Sequence, residues 1–322
     1  MSELRLVEAV RETLAAELDR DDRVVVYGED VGVDGGVFRA TKGLRDAHPD
    51  RVFDVPLAES AIVGTGVGLA AAGMRPVPEV QFQAFLYQGF HQLVQHAARM
   101  RSRTRSTVAC PMTIRTPYGG GVNAFELHSE SYEAGFGHVP GLKVVVPSSP
   151  AAAAGLLRAS VRDPDPVVFM EPTRLYRSTK EAVPEGPDYV LPLGEASVAE
   201  SGEDVTVVAY GSLFRDAERA AAASDADVEL IDLRTVSPLD VETVVASAKK
   251  TGRVVVVHEA PLTFGLGAEV AARVGEAALP YLEAPVERVA GFDVPYPMFA
   301  REDAYLPDSA DVHAAIERVL AA

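Results

Sequence analysis

Short apolar runs alternate with helix-length segments along almost the whole chain, and this rhythm limits the fold more than any other feature. "RVVVYGED" (Arg23–Asp30), "RVFDVP" (Arg51–Pro56), "RPVPEVQF" (Arg75–Phe82), "MTIRTP" (Met112–Pro117), "LKVVVP" (Leu142–Pro147) and "PVVFMEP" (Pro166–Pro172) read as buried strands. Between them lie helical patterns. Leu6/Val7, Val10, Leu14 and Leu18 form one stripe, Ser60–Gly73 is rich in Ala and Gly, and Phe85–Arg101 reads as one helix. Strands that alternate with helices imply a mostly parallel sheet covered on both faces. From Arg174 to Glu203 the rhythm lapses into Pro, Gly and charged residues, then restarts with "VTVVAYG", "VELIDL", "RVVVVHE" and "VERVAG". The expected fold class is therefore α/β with two doubly wound domains, residues 1–175 and 204–322, joined by a surface linker at 176–203. No repeat of 20–50 residues is visible.

With 322 residues, 48% of them hydrophobic, the chain can bury two substantial cores. The 47 acids outnumber the 30 bases for a net charge of −17, a field that repels nucleic acid and anionic membranes. The single cysteine, Cys110, excludes an intramolecular disulfide and a multi-cysteine metal site. The charged, amphipathic start "MSELRLVEAVRETL" lacks the pattern of a secretory signal, and no apolar run is long enough to span a bilayer. A soluble, cytoplasmic protein is expected.

Beyond its first residue, Asp54, the small and apolar stretch "DVPLAESAIVGTGVGLAAAG" (Asp54–Gly73) holds one carboxylate, Glu59. Two readings are open. An acid at a helix start gains about 0.3–1 kcal/mol from the helix dipole. A carboxylate held in apolar surroundings is instead suited to sharing a proton with a ligand. The "GVGLAA" within the stretch fits G-x-G-x-x-A, yet it lies inside the helix rather than in the turn after a strand, so it is no dinucleotide fingerprint. Gly64, Gly66 and Gly68 are better read as a smooth helix face that admits a close neighbour, such as a helix of another subunit.

"YGGGVNAFELHSES" (Tyr118–Ser131) is a long loop after a strand, the place where open α/β sheets build sites, and it carries His128 between Glu126 and Glu130. Zinc is a poor fit. His128 and His138 are ten apart with no thiolate near, and His91 and His96 are five apart rather than four. No G-x-S-x-G elbow supports a serine hydrolase. "QFQAFLYQGF" (Gln81–Phe90) places Phe82, Phe85 and Tyr87 where they could pack in the core or stack on a flat heterocycle.

"YGEDVG", "DVPLAES", "RPVPEVQFQAF", "MTIRTPYGGG", "ELHSES", "PGLKVVVPSSP", "PVVFMEPTRLYR", "DLRTVSPLD" and "FGLGAEV" follow one another in an order that resembles the β subunit of thiamine-diphosphate-dependent 2-oxo acid dehydrogenase E1 components. Pyruvate and branched-chain 2-oxo acid dehydrogenases belong there, with acetoin dehydrogenase close by. The resemblance spans nearly the whole chain. It implies a pyrimidine-binding domain followed by a transketolase C-terminal-like domain. Glu59 matches the glutamate that hydrogen-bonds N1′ of the aminopyrimidine and favours its imino tautomer. Phe85 matches the aromatic stacked on that ring, Leu57 and Gln81 match its neighbours, and His128 matches the histidine that assists acyl transfer to lipoyl sulfur. Some family members hold a structural K⁺; Met112, Ser160, Val161, Asp163 and Asp165 match that site, with Asp165 in place of the usual Asn.

The diphosphate-and-metal motif of thiamine enzymes begins G-D-G and ends near an Asn pair. This chain has no G-D-G and a single asparagine, Asn123. The resemblance therefore implies an α subunit that holds Mg²⁺ and the diphosphate, active sites at α–β interfaces of an α2β2 heterotetramer, and an E2 lipoyl acyltransferase as the next partner. The alternatives are an acetoin dehydrogenase β subunit, a stand-alone thiamine transferase, which the missing motif disfavours, and a non-catalytic scaffold of the same fold.

Overall fold

The computed structural model describes residues 1–178 and 180–322, without the side chain of Phe299. Two sheets dominate it. The first has seven strands in the spatial order Thr235–Ser237, Lys143–Val145, Val167–Pro172, Thr113–Tyr118, Arg75–Glu79, Val24–Gly28 and Val52–Asp54. Six run parallel, and Thr235–Ser237 pairs antiparallel with Lys143–Val145. The second has five strands in the order Glu287–Gly291, Val254–Pro261, Val205–Ala209, Val228–Asp232 and Ser197–Glu200, the last antiparallel. α/β layering with helices on the sheets is what the alternating pattern demanded.

Two pairings depart from local pattern. Thr235–Ser237 follows a second-sheet strand, yet it extends the first sheet, so the halves of the chain share a sheet edge. The proline-rich segment expected as a linker also pairs. Glu181–Val183 lies antiparallel to Ser2–Leu4, and Ser197–Glu200 closes the edge of the second sheet. Backbone groups at an edge seek partners wherever the chain can reach them, and such short pairings leave no periodic trace in sequence.

The helices follow their signals more closely. Pro150–Arg162 starts on Ser149, whose hydroxyl accepts from the Ala152 N–H at 3.1 Å, with Pro150 at the first helical position. The helix Leu6–Arg20 packs its Leu6, Val10, Leu14 and Leu18 stripe into the same core. The expected single helix Phe85–Arg101 is instead a 3₁₀ segment Gln83–Gly89, a helical turn Phe90–Gln92, a π-helical segment Leu93–Ala97 and a turn Met100–Arg103. Gly89 explains the break. A Cβ there would lie 2.6 Å from Val63 and 3.2 Å from the Glu59 carbonyl, so this glycine lets the segment rest on the helix Glu59–Ala71.

Buried polar contacts tie the two halves together. Ser148 donates to Asp232 at 2.6 Å, Tyr210 donates to Glu133 at 2.6 Å, and Arg174 pairs with Asp216 at 2.7 Å. Among the described residues no helix is long and apolar enough to cross a membrane.

Candidate active site

In the first sheet the chain leaves Val24–Gly28, forms Val52–Asp54 on one side of it, then returns to place Arg75–Glu79 on the other. Strand order reverses there, and open parallel sheets bind ligands at the carboxyl ends of the strands flanking such a reversal. Glu29 and Asp30 leave the end of the first strand, and Gln81 leaves the end of its neighbour. Gly28 makes the junction possible, because a Cβ there would lie 2.5 Å from the Glu79 carbonyl. Beneath it, the fully buried Arg115 bridges Glu79 at 2.6 Å and Glu171 at 2.7 Å, fixing three strands side by side. Burying a charge triad is costly unless every member is paired, as here.

Glu59 opens the helix Glu59–Ala71 and is 7% exposed. It is both the first-turn acid and the buried carboxylate that the two sequence readings offered separately. Its surroundings differ from the apolar pocket expected. Glu29 lies close by, 3% exposed, with neither carboxylate oxygen hydrogen-bonded. Desolvation first, and then the charges of Glu59 and Asp30, push the Glu29 carboxyl up to about 7. Sequence reading missed Glu29. Its only sequence signal was an acid directly after a fully buried strand.

Gln81 is half-buried and donates to Asp30 across the strand reversal at 3.2 Å. Phe85 and Phe82 meet edge to face at 5.6 Å, and both rings pack against His128, at 5.2 and 4.3 Å between centroids. Phe125 lies against it as well, at 5.9 Å. His128 sits on a short 3₁₀ turn, Glu126–His128, and its Nδ1 is buried with no partner. Gln81, Phe85 and His128 thus gather at one end of the sheet, and the segment carrying Phe85 rests on the helix that Glu59 begins. Leu57, by contrast, is 80% exposed. A flat polar heterocycle fits these residues. It would find an aromatic face, a buried carboxylate pair and an unpartnered ring nitrogen.

The residues matched to K⁺ also come together, where Pro150–Arg162 ends beside the start of Thr113–Tyr118. The Met112 carbonyl accepts from Val167 at 2.9 Å and that of Ser160 from Asp163 at 3.1 Å. Arg75 donates to the carbonyls of Val161 and Asp163 at 2.9 and 3.2 Å. Lys143 pairs with Asp163 at 2.5 Å, and Arg101 with Asp165 at 2.6 Å. Side-chain cations or backbone N–H groups already serve these oxygens, which does not favour an alkali ion. Elsewhere among the described residues no three His, Cys, Asp or Glu side chains gather as a metal cage.

The second domain reaches the glycine loop that leads to His128. Glu259, from the strand Val254–Pro261, accepts from the Gly120 N–H at 2.5 Å, and burial pushes its carboxyl up to about 7. No sequence pattern singled it out, because the contact joins residues 139 apart.

Similarity to known proteins agrees with this architecture. The transketolase pyrimidine binding domain matches residues 2–179, and the transketolase C-terminal domain matches residues 194–312. A pyruvate dehydrogenase E1 component subunit beta of Acholeplasma laidlawii is 47% identical over 99% of this chain and 98% of its own length. The protein of the same name from Staphylococcus epidermidis is 48% identical over 97% of each. A solved structure of a split-gene transketolase, described as an inactive β4 tetramer, superposes with a TM-score of 0.80 at 26% identity over 99% of both chains. The chain belongs to the transketolase-like family of 2-oxo acid dehydrogenase E1 component β subunits.

Proposed function

We propose that this chain is the β subunit of an E1 component that decarboxylates a 2-oxo acid on thiamine diphosphate and passes the acyl group to the lipoyl group of an E2 acyltransferase. The observation that carries the reading is the gathering of Gln81, Phe85 and His128 at the strand reversal beside the buried pair Glu59 and Glu29. When bound, the cofactor supplies carbanion chemistry at C2 of its thiazolium ring. Glu59 shares a proton with ring nitrogen N1′ of the aminopyrimidine. Glu29, with its carboxyl near neutrality, is suited to exchange that proton at working pH. Phe85 offers its ring to the pyrimidine, Gln81 is oriented by Asp30, and the exposed Leu57 is left free to border the bound ring. His128 handles a proton during acyl transfer, its ring held in place by Phe82 and Phe85.

Mg²⁺ and the diphosphate fall to an α subunit in this proposal, because the chain has no G-D-G and one asparagine. The assembly is then an α2β2 heterotetramer with sites between α and β. The exposed side chains of Leu57, Val122, Phe125 and Leu127 suit such a covering partner. The names of the relatives support pyruvate as substrate. Branched-chain 2-oxo acids and acetoin are the competing substrates. K⁺ is the least supported part of the family pattern, given the cations already in place.

The decisive assay pairs the purified chain with its α subunit and offers pyruvate, branched-chain 2-oxo acids and acetoin in turn. Turnover of pyruvate by the pair, and none by the single chain, is expected. Turnover of acetoin alone, or full activity without α, would refute the proposal.

A further inference from the structure

The loop from Gly119 to Phe125 connects the strand Thr113–Tyr118 to the turn Glu126–His128, and the second domain grips it at two points. The Gly120 N–H donates to Glu259 Oε1 at 2.5 Å, while the Ser212 hydroxyl donates to Glu259 Oε2 at 3.0 Å. Three residues on, the Asn123 N–H donates to Glu302 Oε1 at 3.2 Å. Both carboxylates are buried, at 6% and 1% exposure.

The glycines record how close this grip is. A Cβ at Gly119, whose φ is +81°, would lie 2.9 Å from both Glu259 oxygens. One at Gly120 would lie 1.7 Å from the Tyr296 hydroxyl, also from the second domain. The other side of the loop is open, with Val122, Phe125 and Leu127 at 40%, 60% and 47% exposure. Glycine-rich backbone with exposed side chains has no fixed conformation of its own. Glu259 lies on an interior strand and Ser212 on the tight turn Gly211–Leu213, so this part of the grip is made by regular elements, while Glu302 comes from the 3₁₀ segment Phe299–Ala304. Burying two carboxylates to hold one loop costs more than a neutral acceptor would. That cost is reasonable where the loop must place a reacting side chain to within a fraction of an ångström.

We propose that Glu259 and Glu302 are positioning residues: they fix the glycine loop from the second domain so that His128 is correctly placed for the acyl-transfer step. This rests on the function proposed above for His128. The domain that lies away from the strand reversal thereby acts on the chemistry through two backbone N–H groups.

The test uses the α–β complex with Glu259→Ala, Glu259→Gln and Glu302→Ala. Three readouts are compared: amide hydrogen exchange over residues 119–128, decarboxylation with an artificial electron acceptor, and acylation of a lipoyl domain. In Glu259→Ala the loop amides should exchange about tenfold faster. Acyl transfer should fall up to about 100-fold, with decarboxylation changed far less. Glu259→Gln should restore both, since its amide oxygen still accepts from Gly120. Should Glu259→Ala fail to fold, Glu302→Ala carries the same comparison. Unchanged loop exchange, or equal loss of both reaction steps, would overturn the proposal. If the wild-type complex turned over no 2-oxo acid, the functional reading would fall separately. Loop exchange would then decide the anchoring, faster exchange supporting it and unchanged exchange overturning it.

Discussion

Phe82 and His128 meet edge to face with ring centroids 4.3 Å apart, the shortest of three aromatic contacts around that imidazole. The ring of the proposed proton carrier is thus oriented by packing, since its buried Nδ1 has no hydrogen-bond partner. His128→Ala should lower acyl transfer to lipoyl by about 10²–10⁴-fold, with a smaller effect on decarboxylation. Phe82→Leu should reproduce the direction of that split at reduced size. Stopped-flow decarboxylation and lipoyl-domain acylation read the two steps separately, and an equal small effect on both would count against the role.

Glu29 makes a pH prediction. Its carboxyl is pushed up to about 7, so ionising it costs more in the folded chain than in the unfolded one. Stability is therefore lost as pH rises from the ordinary carboxylate range through about 7, and the loss persists above it. Glu29→Gln should raise the Tm at pH 8 and leave it nearly unchanged at pH 4. A Tm gain of equal size at both pH values would contradict the burial argument.

Two glycines of one helix make opposite predictions. A Cβ at Gly66 would lie 2.4 Å from Met112 Sδ and 2.9 Å from the Tyr27 hydroxyl, whereas at Gly68 it would meet nothing within 4 Å. Gly66→Val should cost at least ~1–3 kcal/mol in chemical denaturation of the chain. Gly68→Leu should keep chain stability or raise it by up to about 1 kcal/mol, and weaken assembly, seen by analytical ultracentrifugation, if a neighbouring subunit covers that face. The glycine face expected from sequence as a close-packing surface is thus divided, one glycine packing inward and the other open.

Arg75, Lys143 and Arg101 serve the oxygens of Val161, Asp163 and Asp165 matched to K⁺, and backbone N–H groups serve those of Met112 and Ser160. Replacing K⁺ by Na⁺ or choline at constant ionic strength should leave the Tm of the chain where it is. A rise specific to K⁺ would show that an ion shares those carbonyls.

The sequence made legible what local pattern can carry. Apolar runs such as Val24–Gly28 and Val254–Pro261 announced parallel strands, and the ordered stretches around Glu59, Gln81 and His128 pointed to the family. It hid what depends on distant pairing. Thr235–Ser237 is three residues long, with no periodicity to reveal that it crosses to the other sheet. The helix expected from Phe85 to Arg101 is interrupted because Gly89 must lie against Val63, a contact its neighbours in sequence do not encode. Glu259 and Glu302 carry no local signal of a role; only the fold puts them against Gly120 and Asn123. Glu29 stands within "YGEDVG", yet its burial beside Glu59 follows only from the strand reversal.

The central claim is that the Glu59 carboxylate exchanges a proton with the cofactor's pyrimidine. Its most direct test is single-turnover decarboxylation by the α–β complex carrying Glu59→Gln, an isosteric change that keeps the shape of the site and removes the ionisable group. Decarboxylation should fall by about 10²–10⁴-fold while the complex assembles as before. A rate near that of the wild type, in a complex shown to contain both subunits and the cofactor, would contradict the account.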